Sequence, residues 1–133
     1  VLGGNDKYGE LKKTNWSTEN GEYWVNLGRE DNTLGPVAGA SLVQYDDKLL
    51  MFGGMDSDNM VAENYYRESK DQGLSWSVPD TTYNKLKDYT PRSYQTAIVD
   101  ENDKRIYLFG GKDNTTTYSD VWTGKLNRMY FDE

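Results

Sequence analysis

The feature that most constrains the fold is a short strand that ends on two glycines and recurs. Residues 48–56 read Lys48-Leu49-Leu50-Met51-Phe52-Gly53-Gly54-Met55-Asp56, and residues 105–113 read Arg105-Ile106-Tyr107-Leu108-Phe109-Gly110-Gly111-Lys112-Asp113. The sequence opens on the tail of a third copy, Val1-Leu2-Gly3-Gly4-Asn5-Asp6. The first glycines lie 53 − 3 = 50 and 110 − 53 = 57 residues apart. A continuous apolar run bounded by turn residues predicts a strand buried on both faces. Two glycines at its end supply positive φ and let another backbone pass close by. The Asp of Gly-Gly-x-Asp accepts backbone N–H bonds and fixes the turn that leaves the strand. A phosphate-cradling loop is the sharper alternative, but no Gly-x-x-x-x-Gly-Lys pattern and no helix pattern follow.

The copies can be laid over one another. Pro36 to Gly53 spans 53 − 36 = 17 residues and Pro91 to Gly110 spans 110 − 91 = 19, so the later copy should have a hairpin two residues longer. Ser41-Leu42-Val43 then matches Thr96-Ala97-Ile98, and Asn15-Trp16, Asn64-Tyr65-Tyr66 and Asp120-Val121-Trp122 fall at similar offsets after the glycines. Strands are expected at 11–17, 23–27, 37–44, 48–52, 60–68, 74–78, 93–100, 104–109, 118–124 and 128–131. The hairpin turns are expected at Tyr45-Asp46-Asp47 and Glu101-Asn102-Asp103. Residues 79–90 form the longest linker, with room for one helical turn at 83–87. No amphipathic helix pattern is present. Each unit therefore holds four strands, two before Gly-Gly and two after it. The 133 residues divide into the remnant of a unit (1–35), a complete unit (36–90) and a complete last unit (91–133), within one partial domain.

Composition excludes several function classes. A formal charge of −7 and a pI near 4.6 argue against nucleic acid, which needs clustered Lys and Arg. The chain has no His and no Cys, which removes the usual general base, the commonest metal ligand and any disulfide framework. No apolar run is long enough to span a membrane as a helix, so membrane insertion is not expected. Asp56-Ser57-Asp58-Asn59 invites a calcium reading. It departs from a calcium loop in having Met60 where a ligand is due, and no metal or other cofactor is expected. Asn15-Trp16-Ser17 and Asn114-Thr115-Thr116 match the glycosylation sequon.

A four-stranded unit with a period near 50 residues is the pattern of a propeller blade. Pro91-Arg92-Ser93-Tyr94, then Ile106 to Gly111, then Ser119-Asp120-Val121-Trp122 resembles the kelch motif of galactose-oxidase-like β-propellers. Unit two departs from it, with Val37 where unit three has Arg92 and Tyr65-Tyr66 where Trp is usual. Ser69-Lys70-Asp71-Gln72-Gly73-Leu74-Ser75-Trp76 resembles the Asp-box of sialidase-type propellers, and Ser17 to Trp24 is a degenerate copy with Glu19 for the Asp. In that motif Asp71 would brace the turn, Gly73 take the positive-φ position and Trp76 pack between sheets. The fold implied is all-β: a kelch-like β-propeller fragment of about two and a half four-stranded antiparallel blades.

The resemblance implies the C-terminal portion of a bacterial kelch-like protein placed outside the cytoplasm (periplasmic, secreted or on the cell surface). Galactose oxidase uses copper held by Tyr and His with a Tyr–Cys crosslink, so that activity cannot reside here. The function expected is a non-enzymatic binding or scaffold module, with a glycan or a protein as ligand. The alternative is part of a carbohydrate-active enzyme whose catalytic residues lie in blades outside this sequence. In propellers the lead-in to the first strand and the loop after the second gather over the channel. That places Arg92, Tyr94, Asp56 and Asp113 as candidate ligand-binding residues. Gly53, Gly54, Gly110, Gly111, Asp71, Gly73, Trp76 and Trp122 are the structural ones. Open apolar faces on such a segment predict self-association or contact with further blades.

Overall fold

The computed structural model describes residues 1–12, 14–27, 37–55, 66–78 and 88–125, and the backbone of 130–132. These form three small antiparallel sheets, with no helix among the described residues. The first pairs β1 (Trp16–Ser17) with β2 (Val25–Asn26), and Leu2 bridges Asn15 on its inner side. The second has the order β3 (Ser41–Tyr45), β4 (Lys48–Phe52), β5 (Tyr66–Ser69), extended by one bridge from Glu68 to Ser77. The third is a four-stranded meander, β6 (Thr96–Asp100), β7 (Arg105–Phe109), β8 (Val121–Lys125) and β9 (Tyr130–Asp132). The strand expected at 74–78 is thus reduced to one bridged residue. The helical turn expected at 83–87 lies outside the described residues.

The hairpins differ in length in the direction expected, although their boundaries move. Tyr45 pairs with Lys48, so it belongs to the strand and the turn is Asp46-Asp47 alone, with Asp46 at φ 54°. Burial decides this: the Tyr45 ring is in the core and its hydroxyl donates to the Lys104 carbonyl at 3.0 Å. In the third sheet Asp100 pairs with Arg105, leaving a four-residue turn that includes Lys104. Register also corrects the overlay of the third strands. Leu2 faces Asn15, Phe52 faces Tyr66 and Phe109 faces Val121. Trp16, Arg67 and Trp122 are therefore equivalent, and Asn15 matches Val121 rather than Asp120.

The apolar runs are strands because both of their faces are covered. Side chains alternate along a strand. Leu50 and Phe52 join Tyr45, Tyr66, Tyr89, Ile106, Leu108 and Trp122 in a core between sheets two and three. Met51 points the other way, into a smaller core with Val37 and Trp76, flanked by Leu2, Ala40 and Leu49, between sheets one and two. Sheet two is thus the filling of a three-layer stack. In sheet three, among the described residues, one face of β7 is packed: Ile106 and Leu108 are buried, while Tyr107 and Phe109 stack on each other at 6.3 Å on the opposite face.

The glycine pairs join one sheet to the next. In units one and three the first glycine donates to the lead-in of the third strand of its own unit, Gly3 to Thr14 O and Gly110 to Asp120 O, both 3.0 Å. The second donates forward, Gly4 to Val37 O at 2.8 Å and Gly54 to Arg92 O at 3.2 Å. A Cβ on Gly3 or Gly53 would collide with those same carbonyl oxygens, and both residues sit at positive φ. The requirement for glycine is therefore a close approach of the following unit as well as a backbone angle. Val37 and Arg92, which differ in chemistry, share this place because what the latch uses is their carbonyl.

Candidate functional site

Two segments of unit three meet at the glycine end of the stack. The lead-in turn Thr90–Gln95 and the loop after Gly111 are tied by a two-way bridge between Ser93 and Lys112, with both bonds 2.8 Å. Within this frame Arg92 is turned inward and is 2% exposed. Its Nε donates to Thr90 O at 3.1 Å. The two terminal nitrogens reach the Asp120 carboxylate at 2.5 and 3.2 Å, and one of them also bonds Gly110 O at 3.0 Å. The guanidinium lies between the rings of Tyr118 (3.7 Å) and Tyr89 (4.3 Å). Burial would raise the Asp120 pKa, but the bonds from Arg92 and Trp122 outweigh it and hold the carboxyl below its usual value. This cluster anchors the lead-in turn within its own unit and aims the Arg92 carbonyl at Gly54.

Tyr94, two residues on, does the opposite. Its ring is 54% exposed, and Lys112 Nζ lies 5.2 Å from the ring centre. Its backbone is at φ 59°, in the left-handed region, and its N–H donates to Gly39 O at 2.7 Å. Gly39 is the equivalent residue of unit two and has φ 70°. The repeat therefore needs a left-handed residue here. Unit two supplies the residue that adopts it without cost, and unit three a bulky aromatic that does not.

Asp113 serves its own turn. One carboxylate oxygen accepts the N–H groups of Thr115 and Thr116 at 2.8 and 2.7 Å, and the other accepts the Tyr118 hydroxyl at 2.5 Å. The Tyr118 bond, then those backbone donors, lower its pKa to about 2. Asp6 plays the same part in unit one, accepting from Tyr8 and Glu10 N–H and pairing with Lys12 at 2.8 Å. The Lys12 contact is the main cause of its pKa of about 2. Asp56, the equivalent in unit two, lies outside the described residues, as does the calcium reading of 56–59.

The eight-residue turn at 69–76 is built as its residue types suggest. Asp71 accepts from Ser75 N–H (2.9 Å), Ser75 Oγ (2.5 Å) and Ser69 Oγ (2.8 Å), and Gly73 N–H donates to Ser69 Oγ at 2.8 Å. The Ser75 bonds are the main reason the Asp71 pKa falls. Gly73 is at φ 92°, and Trp76 is buried between sheets one and two. In the turn at 17–24 Asn20 does this work, accepting from Glu22 and Tyr23 N–H at 2.9 and 3.2 Å. Trp122 stands edge-on to Tyr89 at 5.5 Å and donates to Asp120 at 2.8 Å, which fixes it in the larger core. The sequon at Asn15 is closed in this fold, since its side chain is buried and donates to Gly73 O at 2.9 Å. Sequence reasoning missed Lys112 as the neighbour of Tyr94. The signal was its place directly after Gly-Gly, where the loop leaves the strand.

Small antiparallel sheets in tandem, stacked face to face and latched at one end by a repeated glycine pair, define a β-propeller domain. A family model, the DUF6242 beta propeller domain, matches residues 1–133, and the chain belongs to that family. No curated protein matches the sequence.

Proposed function

We propose that this propeller domain is a recognition module, and that its ligand is met at the glycine end around Tyr94. The observation that carries this reading is the backbone of Tyr94. A bulky residue held in the left-handed region costs about 1–3 kcal/mol, and such costs concentrate at functional positions. The equivalent Gly39 shows that the fold itself is served by glycine. The exposed ring, with the Lys112 ammonium beside it, offers a flat apolar face and a cation to a ligand. A glycan or a protein segment suits such a surface, and Asp113 shapes the loop next to it. Arg92 supports the site from below, by anchoring the turn that carries Tyr94.

The wider reading keeps the kelch-like resemblance: a partial blade at 1–35, complete blades at 36–90 and 91–133, and an Asp-box at 69–76 as a structural staple. The support is the paired-glycine period, the Arg92–Asp120 pair and the hydrogen bonds of Asp71. By analogy with bacterial proteins that mix these features, the domain would work outside the cytoplasm.

The test pairs stability with binding. Tyr94→Gly should raise the denaturation midpoint, by roughly 0.5–1 kcal/mol in stability, and abolish binding on a glycan or peptide array. Tyr94→Phe should keep the binding. An array on which wild type binds nothing, or on which Tyr94→Gly binds as wild type does, removes the reading.

A further inference from the structure

The glycine end of the stack carries one small constellation twice, in units one and three. In unit three the Tyr94 side chain is 54% exposed, and Lys112 Nζ lies 5.2 Å from the centre of its ring. In unit one Tyr8 is 77% exposed, and Lys7 Nζ lies 5.0 Å from its ring centre. Lys112 opens the loop after Gly110-Gly111, and Lys7 and Tyr8 lie in the loop after Gly3-Gly4. Each loop is fixed by the Asp of its Gly-Gly-x-Asp. Asp6 accepts the N–H of Tyr8 itself at 2.8 Å, and Asp113 accepts those of Thr115 and Thr116. The Tyr94 ring is held in place as well. It rests over Gly39 of unit two, where an added Cβ would meet Cε2 and Cζ at 3.2 Å.

The charges at the two places are alike. Lys12, Lys48, Lys70 and Lys104 each reach a carboxylate, at distances of 2.7 to 3.7 Å. Lys7 and Lys112 reach none within 4.0 Å among the described residues. The acids beside them are already engaged: Asp6 pairs with Lys12, and Asp113 accepts from its own turn and from Tyr118. In a chain of formal charge −7, ammonium groups without a carboxylate, set beside exposed rings, point to an anion supplied from outside.

We propose that Tyr8–Lys7 and Tyr94–Lys112 are two subsites for one acidic polysaccharide, a chain of sugar rings that bear carboxylates; this rests on the Tyr94 reading and adds to it a second contact and a charge. A pyranose lays its flat C–H face on a tyrosine ring, and its carboxylate answers the ammonium. The exposed Asn114 and Thr117 of the loop beyond Lys112 offer hydrogen bonds to its hydroxyls. A phosphodiester chain needs more clustered cations than these. An acidic peptide is gripped by arginine forks or along a strand edge, and Arg92 at this end is buried and already paired with Asp120.

The probe is polygalacturonate, with its methyl ester as the neutral control. Wild type should bind the acid form about tenfold more tightly than the ester, and should lose affinity as salt rises from about 0.05 to 0.5 M. Lys7→Gln and Lys112→Gln should each weaken binding about two- to fivefold, the range of an exposed ion pair, and leave the denaturation midpoint unchanged. Tyr8→Ala should weaken it about three- to tenfold. Failure to bind polygalacturonate overturns the proposal, as does equal binding of acid and ester, or wild-type affinity in both lysine variants. Polyglutamate bound as tightly as polygalacturonate overturns it too. A neutral glycan or peptide whose binding Tyr94→Gly abolishes and Lys112→Gln leaves intact would overturn it while the Tyr94 reading stands. Polygalacturonate bound equally by Tyr94→Gly and wild type would remove that reading, and this one with it.

Discussion

The two junctions of the stack share a backbone and differ in what fills them. Between sheets two and three the Gly54–Arg92 latch is joined by the Gln95 amide at one end and by the Tyr45–Lys104 bond at the other. The space between is closed by a continuous aromatic and aliphatic core. Between sheets one and two the Gly4–Val37 latch is shorter, 2.8 Å against 3.2 Å, but the core is three buried side chains. Beside them a cleft of about 280 Å³ lies open, walled by Leu2, Trp16, Trp24, Leu49 and Trp76 among others. The comparison separates two roles. The latch sets how one sheet sits on the next, and the side chains set how strongly it is held.

The largest effects should come from breaking the latch where it is used. Gly53→Ala puts a methyl into the Arg92 carbonyl and strains a left-handed residue, at a cost of about 3–5 kcal/mol. Gly110→Ala has a similar backbone angle but among the described residues meets only Tyr118 O at 3.2 Å, so about 1–2 kcal/mol is expected. Equal losses in denaturant melts would mean that the approach of the following unit does not explain the first glycine.

The two residues whose carbonyls accept in the latch should then differ by their side chains. Arg92→Ala strands Asp120, which is partly exposed, and empties the space between Tyr89 and Tyr118. About 3–4 kcal/mol should be lost. Val37→Ala removes only two methyl groups from the smaller core, for about 1–2 kcal/mol. A Val37 substitution that costs as much as the Arg92 one would erase the contrast between the junctions.

Smaller effects belong to the turns. Asp71→Ala removes three hydrogen bonds from a turn that is largely open to water, so about 1 kcal/mol is expected at neutral pH. An unchanged midpoint would deny the turn its bracing role. Acid should act on the same class of group. Asp6 and Asp113 have folded pKa values of about 2, below the ordinary carboxylate value. Their contribution is complete above the unfolded value near 4 and disappears as pH falls towards 2. Stability should therefore be level from neutrality to about pH 5 and decline below it. Asp113→Asn should shallow that decline, and an identical acid limb in the variant would count against the assignment.

Much of the architecture was legible because it is written in local pattern. The apolar runs, the glycine pairs and the difference between the two hairpins follow from residue types a few positions apart. So do the bracing roles of Asp71 and Asp113. The inward orientation of Arg92 was not legible, since it depends on Tyr89 from its own lead-in and on Tyr118 and Asp120 from a second segment converging on it. The left-handed backbone of Tyr94 was hidden for another reason. Residue preferences argue against it, and only the equivalence with Gly39 explains it. The third-strand register missed by one position because the linkers after the glycines differ in length, which sequence offsets alone cannot correct.

The central claim is that a paired glycine joins each sheet to the next through its second N–H. Amide hydrogen exchange at Gly4, Gly54 and Gly111 of the unmodified chain tests it most directly, because three equivalent positions are compared within one molecule. The account predicts that Gly4 and Gly54 are protected, Gly54 the more strongly, and that Gly111 exchanges about tenfold faster or more. Gly111 exchanging as slowly as Gly54, or Gly4 and Gly54 exchanging as fast as Gly111, would contradict it.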